Sequence, residues 1–569
     1  MDFNIGATEI PDELRNQCRD LFNQFEELSN PDRLRHFVSI VVELTLVTRC
    51  VPKSGELVYD ELIAKLLVTR RSPLNPALFD LLDALARRYK GENRADTCNQ
   101  LKEKIREVLL NSEKPEKDYQ QQLVAISSQT NAGGGEEEAT RWIDEAGDDL
   151  DERALRITLA VFHGTTFETI ERAKDELLET FQELVPPPPP PAPDAPAPTP
   201  PAPHVPLMQR LKRAGAYETE GEAPDWKKVV VLKKPELAGE ALVHIWQIYR
   251  ETKWRQKLIE WLTNCVSRRA ADARTRAAVA AGILAIKDYR FVRENLLDLW
   301  VESDDGKFRT AIGMALGVLV REGAWEAEVQ NLLRTWSDSP DQAKRWAALR
   351  AYIYVGAYCK PVSEVIARWR AIADSEYAAV LIQVSEEKAL KLNNPMHMSL
   401  MDAMVRFFVS VAQLSEEKKR PLFAGILDGL KKWVADAKAD AGLGLFMFTT
   451  LGRLVVGGDG ESDAAPVLLQ LVSDELTEDG AGYRSHLAGI FELIMRNGVT
   501  IKEARDLLCD WLGWVDGLKE NSPSYESRIR RLFEEIIAAD TSGRMRGKLR
   551  VCLRDCGRKQ VVERILSEL

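Results

Sequence analysis

Apolar residues recur along this chain at the three- and four-residue spacing of helices that bury one face. Leu14, Cys18, Leu21, Phe22 and Phe25 mark the first such face. Asn30-Pro31-Asp32 then restarts a helix, with asparagine at the cap and proline in the first turn, and the run Phe37, Ile40, Val41, Leu44 and Leu46 is apolar enough to be central. Pro52 and Gly55 end it, and the pattern predicts further helices over 59–69, 76–89 (with Gly91 closing it) and 95–110. Residues 1–111 therefore read as a small bundle of short helices.

A polar stretch with Gly133-Gly134-Gly135 reads as a flexible linker over 112–139. Residues 140–185 follow as a helical segment, two helices joined at His163-Gly164-Thr165-Thr166, with Leu155, Leu159 and Phe162 facing Phe167, Ile170, Ala173 and Leu177. About fifty residues bury too little to stand alone, so this pair is expected to dock on something. Residues 186–206 hold 13 of the 27 prolines, a second linker of polyproline character. Beyond it, a helix over 206–214 and two short strands at 216–219 and 228–232 precede a further helix, so 207–240 has the outline of a winged-helix-like fragment.

From there helical hairpins take over, and they repeat. Asn295-Leu296-Leu297-Asp298-Leu299-Trp300 returns as Asn331-Leu332-Leu333-Arg334-Thr335-Trp336 and, weaker, as Glu364-Val365-Ile366-Ala367-Arg368-Trp369. Arg276, Arg309 and Arg345 open the partner helices, 24, 27 and 24 residues before those tryptophans. Two-helix repeats of 33 to 36 residues without a tetratricopeptide consensus predict HEAT-like stacking over 241–390, continued by C-terminal helical repeats over 396–569. The fold class is thus all-α: a small helical bundle plus an α-solenoid, with one β-hairpin after the proline-rich linker.

Composition narrows the chemistry. The 569 residues carry a net charge of −11, which argues against wholesale binding to nucleic acid or anionic membranes. The N-terminus lacks a signal-like apolar core, and a cytoplasmic location is expected. The eight cysteines have no zinc-type two-residue spacing and are expected to be reduced; Cys552 and Cys556, one turn apart, lack a third ligand. The six histidines are isolated from one another. There is no phosphate-binding loop, no nucleophile elbow and no His-Glu-x-x-His sequence, so the reading is a non-enzyme without catalytic residues, metal or cofactor.

Two sets of residues are candidates for binding a partner. Arg276, Arg309 and Arg345 recur in register and would either line a basic groove or pack between repeats. The C-terminal stretch holds Arg544, Arg546, Lys548, Arg550, Arg554, Arg558 and Lys559 and, over 544–564, a net charge of +6, the strongest local charge in the chain. An acidic run, Glu136 to Glu138 and 144–152, would be its intramolecular counterpart. The repeated tryptophans are expected in the core.

The stretches Leu14 to Leu28, Asn30-Pro31-Asp32-Arg33-Leu34 and Leu78-Phe79-Asp80-Leu81-Leu82-Asp83-Ala84-Leu85 resemble bacterial effector-associated domains, small death-like adaptors of conflict systems. Arg153-Ala154-Leu155 through Phe162-His163-Gly164, Lys212-Arg213-Ala214-Gly215-Ala216, Leu242 to Trp246 and Leu258-Ile259-Glu260-Trp261-Leu262 look like helical regions that follow the ATPase core of STAND-type signalling proteins, a core missing here. The resemblance implies a stand-alone adaptor or regulatory scaffold in antiviral defence. Its partner would be a protease or nuclease effector with a similar death-like domain, and a linker would itself be a protease target. The alternative is a transcription regulator using the wing, near 227–234, and the basic C-terminal helix.

Overall fold

The computed structural model describes residues 135–185, 205–220, 228–268, 271–303, 305–383, 395–412, 414–435, 441–453, 466–472, 478–496, 501–517, 522–540 and 543–554, with short stretches at 17–18, 21, 70–72, 75–76, 82, 85–86, 95–102, 104, 556 and 562–565. Two compact units divide it. One comprises 1–4 and 113–355, the other 5–112 and 356–569.

The death-like bundle expected over 1–111 lies almost wholly outside the described residues. Within it, Cys18, Leu21, Leu82, Leu85, Cys98 and Leu101 are buried. One expectation there is corrected. Instead of a helix beginning at Pro76, β1 (Arg70–Ser72) pairs antiparallel with β2 (Asn75–Pro76). Ser72 and Asn75 each precede a proline, which disfavours the helical region for both.

The first unit opens with α1 (Gly135–Asp144), α2 (Leu150–Phe162) and α3 (Phe167–Gln182). Helix α1 starts inside the stretch expected to be linker. Asp149 caps α2 by accepting from the amides of Asp151 and Glu152, and Thr166 caps α3 at Thr169. Gly164 supplies the positive φ of +80° that the tight turn between them needs. Beyond the proline tract come α4 (Leu207–Arg213), the antiparallel strands β3 (Ala216–Glu220) and β4 (Lys228–Leu232), and α5 (Leu237–Ile248).

The hairpin array follows as α6 (Thr252–Arg268), α7 (Ala271–Lys287), α8 (289–302), α9 (Gly306–Arg321), α10 (Glu326–Ser337) and α11 (Gln342–Val355). Helix α8 contains a π turn at Arg293–Leu297. Helices α5, α7, α9 and α11 pack in succession as one layer, and α3, α6 and α8 succeed one another in a second, with α10 against α9 and α11. This is the two-layer stacking of a helical-repeat protein. The first layer is close-packed because its contact positions are small. A Cβ on Gly282 would lie 2.7 Å from the Ala315 carbonyl oxygen, and one on Gly313 would lie 2.7 Å from the Tyr354 ring and 3.0 Å from the Ala351 Cα.

Tryptophans cross between the hairpins. Trp261 donates to the Ala173 carbonyl (2.9 Å) and meets Phe162 edge-on, and Trp300 donates to the Thr263 hydroxyl (3.0 Å). The α2–α3 pair is therefore docked by α5, α6 and α7 from the other side of the proline tract. Trp300, Trp336 and Trp369 are all buried.

The second unit is likewise built of helical hairpins, through α12 (Ser363–Gln383), α13 (Pro395–Ala412), α14 (Glu416–Ala435), α15 (Ala441–Arg453), α16 (Val467–Leu471), α17 (Glu478–Arg496), α18 (Ile501–Gly517), α19 (Ser522–Ala539) and α20 (Met545–Arg554). Helices α12, α14, α17 and α19 form one layer and α13, α15 and α18 the other, while α20 closes the end against α17, α18 and α19. Trp433 and Trp511 are buried within it, Trp511 donating to the Gly452 carbonyl at 2.7 Å. Among the described residues no helix is long and apolar enough to cross a membrane.

Candidate functional site

The arginine register is a joint between hairpins. Ser303 Oγ accepts the Asp305 amide (3.3 Å), Asp305 Oδ1 accepts the Lys307 amide (2.9 Å), and Arg309 Nη2 donates to the Ser303 carbonyl (3.5 Å). The next turn repeats the device. Ser339 Oγ accepts the Asp341 amide (3.1 Å), Asp341 Oδ1 the Ala343 amide (2.9 Å), and Arg345 Nη1 donates to the carbonyls of Ser339 and Pro340 at 2.7 and 2.8 Å. Serine and aspartate thus satisfy the amides that open each new helix, while the guanidinium satisfies the carbonyls that close the last one.

Arg345 is only 6% exposed, and Arg309 lies 5.2 Å above the Trp346 ring on α11. Arg276 stands at the α2–α3 turn. A Cβ on Gly164 would lie 2.5 Å from its Nη2. Beside it His163 is half-buried, and its desolvation, with the Arg276 charge adding to it, pushes the imidazole down to about 3. The signal Ser-x-Asp-x-x-x-Arg is present in the sequence at 303–309 and 339–345 but is hidden when only the arginine-to-tryptophan spacing is followed.

The wing is bound into the scaffold along one edge. Gly164 donates to the Val230 carbonyl, Val230 donates back to the Thr165 carbonyl (2.8 Å), and Trp142 donates to the Ala214 carbonyl (2.9 Å). Lys234, a candidate for contacting DNA in the regulator reading, pairs with Glu138.

Part of the acidic run is engaged close to home. Asp144 approaches His244 at 3.5 Å, Glu145 pairs with Arg156, and Asp151 and Glu152 share Arg210, with Lys174 also on Asp151. These contacts engage several of the carboxylates named as a counterpart to the basic C-terminus.

The basic C-terminal residues separate into two kinds. Lys548 donates to the carbonyls of Met495 and Arg496 at 2.7 and 3.3 Å, closing the end of α17. Arg544, Arg546, Arg550 and Arg554 are exposed. Arg558 and Lys559 lie outside the described residues. Just beyond α20, Cys556 is bonded to Cys509 of α18, which corrects the expectation that all eight cysteines are reduced. Forty-seven residues separate the pair, too far for spacing to reveal it. Cys18, Cys98, Cys265, Cys359 and Cys552 are buried thiols outside any disulfide. Among the described residues no three His, Cys, Asp or Glu side chains are gathered to hold a metal ion.

No protein-family model matches the chain, and no curated protein matches it. Among the solved structures similar to it at a low level are these two. One is an engineered protein with 13% identity and a TM-score of 0.24, covering 75% of this chain and 97% of its own. The other is UNC-45 from Drosophila melanogaster with 12% identity and a TM-score of 0.19, covering 98% of this chain and 75% of its own. Likeness at this level carries no argument about function.

Proposed function

We propose that this chain is a non-enzymatic scaffold whose stacked hairpins bind other proteins and whose N-terminal residues 1–111 couple that binding to an effector of a bacterial conflict system. The observation that carries the scaffold part is the two-layer array in 113–355. Its polar side chains close the joints between hairpins, and a helical-repeat array of this kind offers extended faces to macromolecules rather than a closed pocket. The coupling part rests on the resemblance of residues 1–111 to effector-associated domains. The proline-rich sequence at 186–206 would be open to an associated protease.

The test is co-purification of the tagged full chain from its host after brief crosslinking. The expected result is a protease or nuclease carrying a helical domain like residues 1–111, lost when those residues are deleted. Recovery of DNA or transcription components in its place would overturn the reading in favour of a regulator.

A further inference from the structure

The geometry points to the outward face of α20 as a docking surface for an acidic amphipathic helix of a partner protein. One side of this helix, Met545, Leu549, Cys552 and Leu553, is buried. The other carries Arg546, Arg550 and Arg554 at successive four-residue steps, a straight ladder of guanidinium groups spaced about 6 Å along the axis. No aspartate or glutamate occurs between 545 and 554 to offset them.

Alongside the ladder run Gly547 and Val551, also four residues apart. Val551 is 62% exposed, and a Cβ added to Gly547 would meet nothing within 4 Å. Packing within this protein does not require glycine there, and glycine inside a helix costs about 0.5–1 kcal/mol relative to alanine. A notch next to an exposed valine suits the close approach of another helix.

The face is also held rigidly. Asp540 Oδ2 accepts the Met545 amide (2.7 Å) at the start of α20, Lys548 bonds to the end of α17 in the middle, and the Cys509–Cys556 disulfide holds the far end. A surface fixed before binding loses little ordering entropy on capture. The apolar notch favours a protein over a phosphate backbone, as does the net charge of −11, which repels nucleic acid at long range. The occupant is therefore a helix with carboxylates at four-residue spacing to meet the arginines and a small apolar seam to cover Gly547 and Val551. This rests on the scaffold reading only in taking the partner to be a protein.

The test uses the full chain and a fluorescein-labelled synthetic helical peptide with glutamates at four-residue spacing beside an alanine–leucine seam, followed by anisotropy. The expected result is binding at least about tenfold tighter than to the same peptide with glutamine for glutamate. Joint Arg546→Glu, Arg550→Glu and Arg554→Glu substitution abolishes that preference and creates one for a peptide with arginine in place of glutamate. Gly547→Gln weakens binding without lowering the melting temperature. Equal binding of the glutamate and glutamine peptides, an unchanged preference after charge reversal, or tighter binding of duplex DNA at the same salt would each overturn the proposal. The full chain with Arg546→Glu, Arg550→Glu and Arg554→Glu should still co-purify the effector through residues 1–111 while losing this peptide preference, so the two readings fail separately.

Discussion

Arg210 reaches Asp151 from the far side of the proline tract, Nη1 to Oδ2 at 2.5 Å, and its Nε holds Glu152 at 3.1 Å. The contact closes a junction between two helical segments 59 residues apart in sequence. Burial alone would raise the Asp151 carboxyl, but the hydrogen bonds and charges of Lys174 and Arg210 outweigh it and hold the group below the ordinary carboxylate range.

Replacing Arg210 by Met keeps the stem and removes the charge. Since Asp151 is 37% exposed, solvent screening limits the loss to about 1–2 kcal/mol. A depressed carboxylate stabilises the fold above its unfolded value and stops doing so as pH falls through the folded value. The gap between wild type and Arg210→Met should be full at pH 7 and should shrink below about pH 4. Urea unfolding across that range checks it, and a gap that widens in acid would contradict the assignment.

Gly282 and Gly313 set the spacing of α7, α9 and α11. A leucine at either site would press on backbone, the Ala315 carbonyl or the Ala351 Cα, as well as on the Val318 or Tyr354 side chain. Gly313→Leu should cost about 1–3 kcal/mol or more by overpacking, whereas Gly547→Leu, which faces open space, should leave thermal stability unchanged or raise it by up to about 1 kcal/mol. Differential scanning of the two variants against wild type decides it.

Local signals were legible in the sequence and distant ones were not. The α2–α3 hairpin, the strands β3 and β4, and the burial of Trp300, Trp336 and Trp369 all follow from spacing within a few residues, where helical or strand period fixes which side chains share a face. Arg210 with Asp151, Trp261 with the Ala173 carbonyl and Cys509 with Cys556 depend on how whole hairpins stack. The acidic run shows the cost. Its charge was plain, but its counter-charges Lys174, Arg210 and Lys234 lie tens of residues away. Of the candidate site, the arginines were found, yet only their partners separate joint from surface.

The disulfide makes its own prediction. Closing a 47-residue loop removes chain entropy worth up to about 4 kcal/mol from the unfolded state. Cys509→Ser, or dithiothreitol added to wild type, should lower the unfolding midpoint, and dithiothreitol should have no further effect on the variant. Non-reducing intact mass, with and without alkylation, should find five free thiols among the described cysteines in the untreated protein.

The last prediction separates the two sets of arginines. Arg345 gives two charge-assisted hydrogen bonds to the Ser339 and Pro340 carbonyls while almost fully buried, so Arg345→Met leaves those carbonyls without their donor and should destabilise by about 1.5–3 kcal/mol. Arg550 is exposed on α20, so Arg550→Met should stay within about 0.5 kcal/mol of wild type. Denaturant midpoints of the two variants provide the comparison. If Arg345→Met unfolds like wild type, its guanidinium is not closing the joint, and the register arginines return to consideration as a binding ladder. If Arg550→Met is the costly one, α20 is secured through its outward face, and that face is not available to a partner.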